Sequence, residues 1–220
     1  MAEQRVTFPS AGPAARLTLE GLFSAPDPAQ APGPGVVICH PHPLYGGTMQ
    51  NNVVSALATA IAGLGFGVLR FNFRGVGGSQ GQHTKGEGEA YDAEGAIEWL
   101  AAQPGVDPAR VGLVGYSFGA GVCLAVAGRD PRVAAAAFVA LPGQQLQDRS
   151  HLDACTRPKY FISGELDSVS TTGLEPYVDR LPEAKRLQMV PGVDHFWQGS
   201  EGVLSAAVAA FFDETLGPVL

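Results

Sequence analysis

The sequence predicts an α/β fold, a doubly wound and mostly parallel β-sheet with helices on both faces and no lid domain. Two observations support this prediction. Short apolar runs typical of buried strands alternate with longer segments that carry a helical pattern. In addition, the apolar run at 110–114 enters the sequence GYSFG at 115–119 and continues as small and apolar residues compatible with a helix. A strand, a serine framed by glycines and a helix in this order indicate a sharp turn at the serine.

The first half of the chain predicts a hairpin followed by parallel strands. Alternating polar and apolar residues at the N-terminus are typical of a half-exposed antiparallel hairpin. After a proline-rich loop at 25–35, two apolar runs predict buried strands on either side of a helix that Asn51-Asn52 can cap. The predicted strands are 5–8, 16–24, 35–40 and 67–73, and the predicted helix is 53–64.

The second half continues the alternation. An amphipathic pattern predicts a helix before the glycine-framed serine, and a second amphipathic pattern closes the chain. The predicted strands are 110–114, 133–141, 159–163 and 186–190, and the predicted helices are 87–102, 202–215 and the segment that follows the serine. Strands and helices of these lengths imply right-handed crossovers within one domain, which we expect to span residues 1–220.

Composition excludes several classes of protein. The chain has 220 residues, a net charge of −7 and no basic cluster, so neither nucleic acid nor an anionic membrane surface is an expected partner. It shows no apolar run of membrane-spanning length and no signal-peptide pattern at the N-terminus. Cys39, Cys123 and Cys155 are too few and too scattered for a disulfide framework or a zinc site. We therefore expect a cytoplasmic protein without a cofactor, a metal or an obligate protein partner.

Ser117 is the candidate nucleophile. In a turn this sharp, the positions two before and two after the serine have no room for a side chain, and Gly115 and Gly119 occupy them. The serine hydroxyl is then exposed at the edge of the sheet, next to the first amides of the following helix.

A serine nucleophile requires a general base and a carboxylate that orients it, in the chain order serine, acid, histidine. Two histidines follow Ser117. His151 lies in a polar stretch that favours a surface role, whereas His195 follows the last predicted strand and precedes the last helix. Loops at the carboxyl ends of parallel strands converge on one edge of the sheet. His195 is therefore the predicted base.

The predicted acid is Asp167, which comes shortly after the strand at 159–163 and is directed to the same edge. Glu165 and Asp194 are alternatives. Asp194 adjoins the histidine in sequence, but neighbours on a turn usually diverge, so it is the less suitable partner for the imidazole.

The oxyanion of the reaction needs two preorganised donors. One is expected to be the backbone amide of Phe118, directly after the nucleophile. The other is expected in the loop after the strand at 35–40, where the two prolines have no N–H to donate. The amides of His42, Leu44 and Tyr45 remain, and Leu44 is our choice.

The chain resembles the α/β-hydrolases along nearly its whole length. More narrowly, it is similar to a group of small, lidless bacterial serine hydrolases that share the blocks HPHPLYGGTMQNNVV, FNFRGVGGSQG, GYSFG, SGELD and GVDHFW. This resemblance implies the catalytic triad Ser117, Asp167 and His195. The loop HPLYG is also similar to the His-Glu-Ile-Phe-Gly loop of dienelactone hydrolases, whose isoleucine amide faces the oxyanion, and this implies Leu44. Those enzymes use a cysteine nucleophile, so their substrate does not transfer to this chain.

Other motifs have structural explanations. His40 and His42 lack a third ligand at a suitable spacing for zinc, and we expect His40 to bond the loop backbone. Arg70 and Arg74 are expected to form ion pairs. The stretch GVGGSQG lacks the ending of a P-loop and the spacing of a dinucleotide fingerprint, so nucleotide binding is not predicted.

The expected function is hydrolysis of small acyl esters through an acyl-enzyme. The triad alone does not separate an esterase from a thioesterase, an acyltransferase or a peptidase. A protein of this fold that only binds its ligand is a further alternative, although it would have no need of an intact triad.

Overall fold

The computed structural model describes residues 3–13, 16–147 and 152–217. The strands are β1 Gln4–Pro9, β2 Thr18–Ser24, β3 Gly33–Cys39, β4 Gly67–Phe71, β5 Val106–Tyr116, β6 Val133–Val139, β7 Lys159–Gly164 and β8 Lys185–Val190. The helices are α1 Asn52–Gly63, α2 Glu87–Ala101, α3 Phe118–Arg129, α4 Leu174–Asp179 and α5 Glu201–Leu216. All predicted strands and helices are present in the predicted order.

The eight strands form one sheet in the order β1-β2-β4-β3-β5-β6-β7-β8. The N-terminal hairpin of β1 and β2 joins the sheet antiparallel to β4. From β4 to β8 every neighbouring pair is parallel. The doubly wound, mostly parallel sheet predicted from the sequence is therefore confirmed.

The parallel strands are apolar throughout because both faces of the sheet are covered. Along β3, Val36 and Ile38 pack in the core beneath α1 and α5, whereas Val37 and Cys39 pack in the core beneath α2 and α3. Successive side chains of a strand point to opposite faces, so a strand covered on both sides needs apolar residues at every position. These two cores hold the sheet rigid, and the rigid sheet positions the loops at its edge.

Some elements differ from their predicted bounds. The strand β4 ends at Phe71 because the amide of Phe73 donates to Nε2 of His40 instead of to a neighbouring strand. The strand β5 begins earlier than predicted, at Val106, which pairs with Gly33. The helix α4 was not predicted, because a six-residue helix is too short to show a period. Short 3-10 helices at Pro28–Gln30, Pro43–Tyr45 and Gly143–Gln147 were also not predicted.

The register of the sheet brings the loops of interest to one edge. Cys39 at the end of β3 pairs with Gly115 in β5, and Gly164 at the end of β7 pairs with Val190 at the end of β8. The loops after β3, β5, β7 and β8 therefore leave the sheet side by side. In the part of the chain that the structure describes, none of the helices has the length and apolar character to span a bilayer.

Candidate active site

Ser117 lies at the tip of a strained turn between β5 and α3. Its φ of 54° and ψ of −116° are rare for a residue with a side chain. A Cβ on Gly115 would lie 2.2 Å from the carbonyl oxygen of Gly119, and a Cβ on Gly119 would lie 2.4 Å from the carbonyl oxygen of Cys39. Both glycines are therefore required sterically, as the motif predicts.

Ser117, His195 and Asp167 form one hydrogen-bonded chain. Oγ of Ser117 is 2.9 Å from Nε2 of His195, and Nδ1 of His195 is 2.8 Å from Oδ2 of Asp167. The serine comes from the turn after β5, the aspartate from the loop after β7 and the histidine from the loop after β8. The hydroxyl of Tyr116 donates to the carbonyl oxygen of His195 over 2.8 Å and holds the histidine loop against the turn.

Asp167 is buried, with 1 % of its surface exposed. Its Oδ1 accepts hydrogen bonds from the amides of Val169 at 3.0 Å and Ser170 at 3.1 Å, which leaves Oδ2 directed at His195. Burial alone would raise the pKa of Asp167, but the hydrogen bonds from His195 and Ser170 outweigh it and hold the pKa below its ordinary value. The carboxylate is thus ionised and can stabilise an imidazolium.

The competing carboxylates have other partners. Oδ1 of Asp194 accepts from the amide of Phe196 at 2.9 Å, and Oε2 of Glu165 accepts from the amide of Gly192 at 3.3 Å. Each of them shapes a loop beside the site. His151, the other downstream histidine, lies outside the described residues.

The Leu44 amide has a hydrogen-bond partner within its own loop. This amide donates to Nδ1 of His42 over 3.2 Å, because His42 caps the 3-10 helix in which Leu44 lies. The amide of Tyr45 donates to the carbonyl oxygen of His42 over 3.1 Å. Of the three candidate amides, only that of His42 has no hydrogen-bond partner among residues 3–13, 16–147 and 152–217. The Leu44 amide chosen from the sequence is therefore occupied within the loop, and the His42 amide is the remaining candidate for the second donor.

The Phe118 amide is the other predicted donor, and it lies at the first turn of α3, where helix amides have no partner within the helix. The His42 and Phe118 rings are in contact, with 4.9 Å between their centres. Both residues line the same cavity as Ser117.

His40 directly follows β3 and contacts backbone groups through both of its ring nitrogens. Its side chain is fully buried, Nδ1 lies 2.6 Å from the carbonyl oxygen of Pro41, and Nε2 accepts from the amide of Phe73 at 3.1 Å. Burial is the main cause that lowers the pKa of His40 to about 4, so the ring is neutral at physiological pH. The expectation that this histidine bonds the loop backbone is confirmed, and both ring nitrogens are occupied.

The arginines around β4 form ion pairs, as predicted. Arg70 pairs with Glu3 at 2.6 Å, and Arg74 pairs with Asp92 at 2.7 Å. The glycine-rich loop after Arg74 is tied to β2 through Glu20, which accepts from the amide of Gly78. Among the described residues, no cluster of three or more histidine, cysteine or acidic side chains has an arrangement suited to a metal ion.

A cavity of about 520 Å³ opens in front of Ser117. Its wall is mainly apolar and aromatic, and its rim carries the exposed side chains of Tyr45, Val169 and Phe196. These residues come from the loops after β3, β7 and β8. The site can therefore accept a small molecule with an apolar part next to the nucleophile.

Residues 22–186 match the family described as X-Pro dipeptidyl-peptidase (S15 family). The chain belongs to this family. The matched region of this S15 family member contains Ser117 and Asp167 and ends before His195. Together with the sheet and the elbow, the match also places the chain in the α/β-hydrolase superfamily.

Relatives of this S15 family member match it over most of their own length. A protein of Rickettsia prowazekii is 34% identical over 206 residues, with 90% of this chain and 84% of the relative covered. A Xanthomonas campestris structure described as an α/β serine hydrolase without lid is 28% identical, with a TM-score of 0.82 and coverage of 100% and 99% of the two chains. An α/β serine hydrolase homologue from Coxiella burnetii is 32% identical, with a TM-score of 0.80 and coverage of 93% and 96%.

Three residues beside the triad were not identified from the sequence. They are Tyr116, whose hydroxyl bonds the histidine loop, Ser170, whose amide bonds Asp167, and Gln145, which lines the cavity. Tyr116 lies inside the GYSFG motif and Ser170 follows the SGELD block, so their proximity to the motifs is the only signal in the sequence.

Proposed function

We propose that this hydrolase is a serine carboxylic-ester hydrolase that cleaves small acyl esters through an acyl-enzyme. The observation that carries the proposal is the continuous hydrogen-bonded chain from Ser117 through His195 to Asp167. This geometry is that of a nucleophile, a general base and an orienting carboxylate. The mainly apolar cavity in front of the serine suits a small-molecule ester.

In the acylation step, Oγ of Ser117 attacks the ester carbonyl carbon while Nε2 of His195 accepts the hydroxyl proton. Negative charge develops on the carbonyl oxygen, and the amides of Phe118 and His42 are the proposed donors to it. Asp167 stabilises the imidazolium and holds the tautomer in which Nε2 is free to accept the proton. The bond from the carbonyl carbon to the alcohol oxygen then breaks, and the imidazolium protonates the leaving alkoxide.

In the deacylation step, a water molecule takes the position of the alcohol. His195 accepts its proton as the water oxygen attacks the acyl carbon, and the proton returns to Oγ of Ser117 as the acyl bond breaks. The products are a carboxylic acid, an alcohol and free enzyme. The residues named supply every proton transfer, so the proposal requires no cofactor.

The family description makes a dipeptidyl-peptidase the second candidate. An enzyme that releases dipeptides has to bind a charged N-terminal amine, and a buried ammonium needs a carboxylate partner. Among the described residues, no aspartate or glutamate lines the Ser117 cavity. This observation supports the ester as the first candidate, and Glu87 in the adjoining cavity makes the X-Pro substrate a necessary arm of the test.

The test is a substrate panel combined with labelling of the serine. p-Nitrophenyl esters, matched thioesters and an X-Pro p-nitroanilide would be assayed with the wild type, Ser117→Ala and Ser168→Ala. Ser168 is an exposed serine close to the site and serves as the control. We expect ester turnover and fluorophosphonate labelling in the wild type and in Ser168→Ala, and neither in Ser117→Ala. Turnover of the anilide but not of the esters would establish the peptidase, and the absence of labelling in the wild type would indicate a binding protein.

A further inference from the structure

A second cavity of about 600 Å³ adjoins the Ser117 cavity. The two cavities share the lining residues Phe118, Gln144 and Gln145. We call the cavity with Ser117 the reaction chamber and the other one the side chamber. Among the described residues, the side chamber is an open cavity lined by the start of α2, by α3 and by the 3-10 helix at Gly143–Gln147.

The position of the Gln145 side chain, which lines both chambers, depends on a glycine. An ideal Cβ on Gly121 would lie only 1.0 Å from Oε1 of Gln145, so the amide of Gln145 lies across α3 where a side chain at position 121 would be. Neither Gln144 nor Gln145 has a side-chain hydrogen bond to another described residue. The side-chain amides of Gln144 and Gln145 line both chambers and are therefore free to form hydrogen bonds with a polar group of a ligand.

The chemistry of the side chamber differs from that of the reaction chamber. The reaction chamber is mainly apolar, whereas the side chamber carries Lys85, Glu87 and Arg129. Arg129 already pairs with Glu94 at 2.7 Å and lies over the ring of Tyr91. Lys85 is exposed and forms no ion pair with any described residue. Its ammonium is thus a cation without a counter-ion in the part of the chain that the structure describes.

From this arrangement we infer that the substrate is an ester with a carboxylate on one of its two parts, the acyl part or the alcohol part. The ester bond lies at Ser117, the uncharged part occupies the reaction chamber, and the charged part passes Phe118 and Gln145 and ends near Lys85. This inference deepens the proposed function and rests on it. It names the substrate class, whereas the triad alone does not.

Two matched pairs of substrates test the inference. For the acyl part, the mono-p-nitrophenyl ester of glutaric acid is compared with its methyl ester. For the alcohol part, 4-acetoxybenzoate is compared with its methyl ester. In each pair the two compounds have nearly the same size and differ by one charge, and each enzymatic rate is divided by the rate of hydroxide-catalysed hydrolysis so that differences in leaving-group reactivity cancel. The measured quantity is the ratio of kcat/KM for the anionic ester to kcat/KM for the neutral ester.

We expect the ratio to exceed one for one of the pairs and to fall about threefold in Lys85→Gln, the scale of a single exposed charge pair. In Glu87→Gln, which removes a carboxylate from the same chamber, the ratio should rise by a similar factor. Arg5→Gln removes an exposed cation on the edge strand β1 and should leave the ratio unchanged. Added salt should reduce the preference, because exposed charges are screened.

The outcomes distinguish the inference from the proposed function. If no ester of either kind is cleaved, the proposed function is wrong. The inference is wrong if neutral esters are cleaved but the ratio is below one for both pairs. It is also wrong if the ratio is the same in Lys85→Gln and Arg5→Gln. In both cases the proposed ester hydrolase activity is still supported. Because each variant is compared with itself on two substrates, a general loss of active protein does not affect the ratio.

Discussion

The amide of Leu44 donates a hydrogen bond to Nδ1 of His42 over 3.2 Å. This contact occupies the Leu44 amide, and the neighbouring loop amides bond the backbone, as Tyr45 does to the His42 carbonyl. The amide of His42 itself has no hydrogen-bond partner among the described residues. We therefore propose the His42 N–H as the second oxyanion donor, while the His42 ring accepts the hydrogen bond from the Leu44 amide.

The role of the His42 amide can be tested by substitution with proline. The φ of His42 is −57°, which a proline ring adopts without strain, so His42→Pro removes the N–H while keeping the backbone conformation. We expect kcat to fall about 10²- to 10³-fold, the cost of one oxyanion donor. His42→Asn keeps both the amide and a side chain able to cap, and should lose far less. Equal losses in the two variants, with unchanged melting temperatures, would contradict the assignment.

Asp167 and Asp194 are distinguished by matched amide variants. Asp167→Asn should lower kcat about 10⁴-fold, because an asparagine favours the wrong imidazole tautomer. Asp194→Asn should have a much smaller effect, because Asp194 only accepts from the amide of Phe196. The measurement is steady-state hydrolysis of one short p-nitrophenyl ester. A larger loss in Asp194→Asn than in Asp167→Asn would transfer the orienting role to Asp194.

Two glycine-to-alanine variants should have opposite effects on stability. A Cβ at Gly119 would meet the carbonyl oxygens of Cys39 at 2.4 Å and His40 at 2.6 Å, so Gly119→Ala should lower the free energy of unfolding by about 1–3 kcal/mol. Gly63 lies in α1 with open space around it, and Gly63→Ala should raise the same quantity by about 0.5 kcal/mol. Urea denaturation of both variants measures the two effects. A neutral Gly119→Ala would mean that the turn can open.

Acid should destabilise the protein through His40. The pKa of His40 is about 4 in the folded chain, against 6.5 for an ordinary histidine, so between these pH values the unfolded state binds more protons. The free energy of unfolding should therefore fall as the pH drops from 6.5 to 4, by about 1.4 kcal/mol per pH unit and about 3 kcal/mol in total. The lowered pKa of Asp167 has its effect only at lower pH, below its ordinary value of 3.8.

The variant His40→Gln tests whether His40 causes this loss of stability in acid. Glutamine does not titrate. The free energy of unfolding should therefore depend less steeply on pH between 6.5 and 4, even if the variant is less stable at neutral pH. The pKa of His42 is also lowered, by burial and by the nearby His83, and it acts in the same direction. His42→Asn is therefore the control for the part of the slope that His42 contributes. A slope unaffected by His40→Gln would contradict the prediction.

The preferred acyl chain should be short. In the described part of the chain, no segment covers the reaction chamber, and its rim residues Tyr45 and Phe196 are 88 % and 68 % exposed. Each CH₂ contributes about 0.8 kcal/mol only when it is removed from water, and an open site of about 520 Å³ buries few of them. We expect kcat/KM for p-nitrophenyl esters to peak between about C2 and C6 and to show no jump at the solubility limit. A maximum at C12 or longer would reveal an apolar cover.

The sequence by itself determined the eight strands, the helices α1, α2, α3 and α5, and the candidate nucleophile. Strand and helix patterns are local, and the requirement for Gly115 and Gly119 follows from the sterics of one sharp turn. The chain order of Ser117, Asp167 and His195 and the positions of their strands were enough to select these three residues. The parallel register then brings their loops together, as expected for loops at the carboxyl ends of neighbouring strands.

Only the tertiary structure decided which backbone amides already have hydrogen-bond partners and which side chains fill the space beside a glycine. The Leu44 amide looked available in the sequence, but the His42 ring, two residues earlier, occupies it. In the same way, Gly121 and Gln145 are far apart in the sequence, and only the packing of α3 against the 3-10 helix shows that one makes room for the other. Such contacts depend on loop conformation and side-chain direction, which the pattern of apolar and polar residues does not encode.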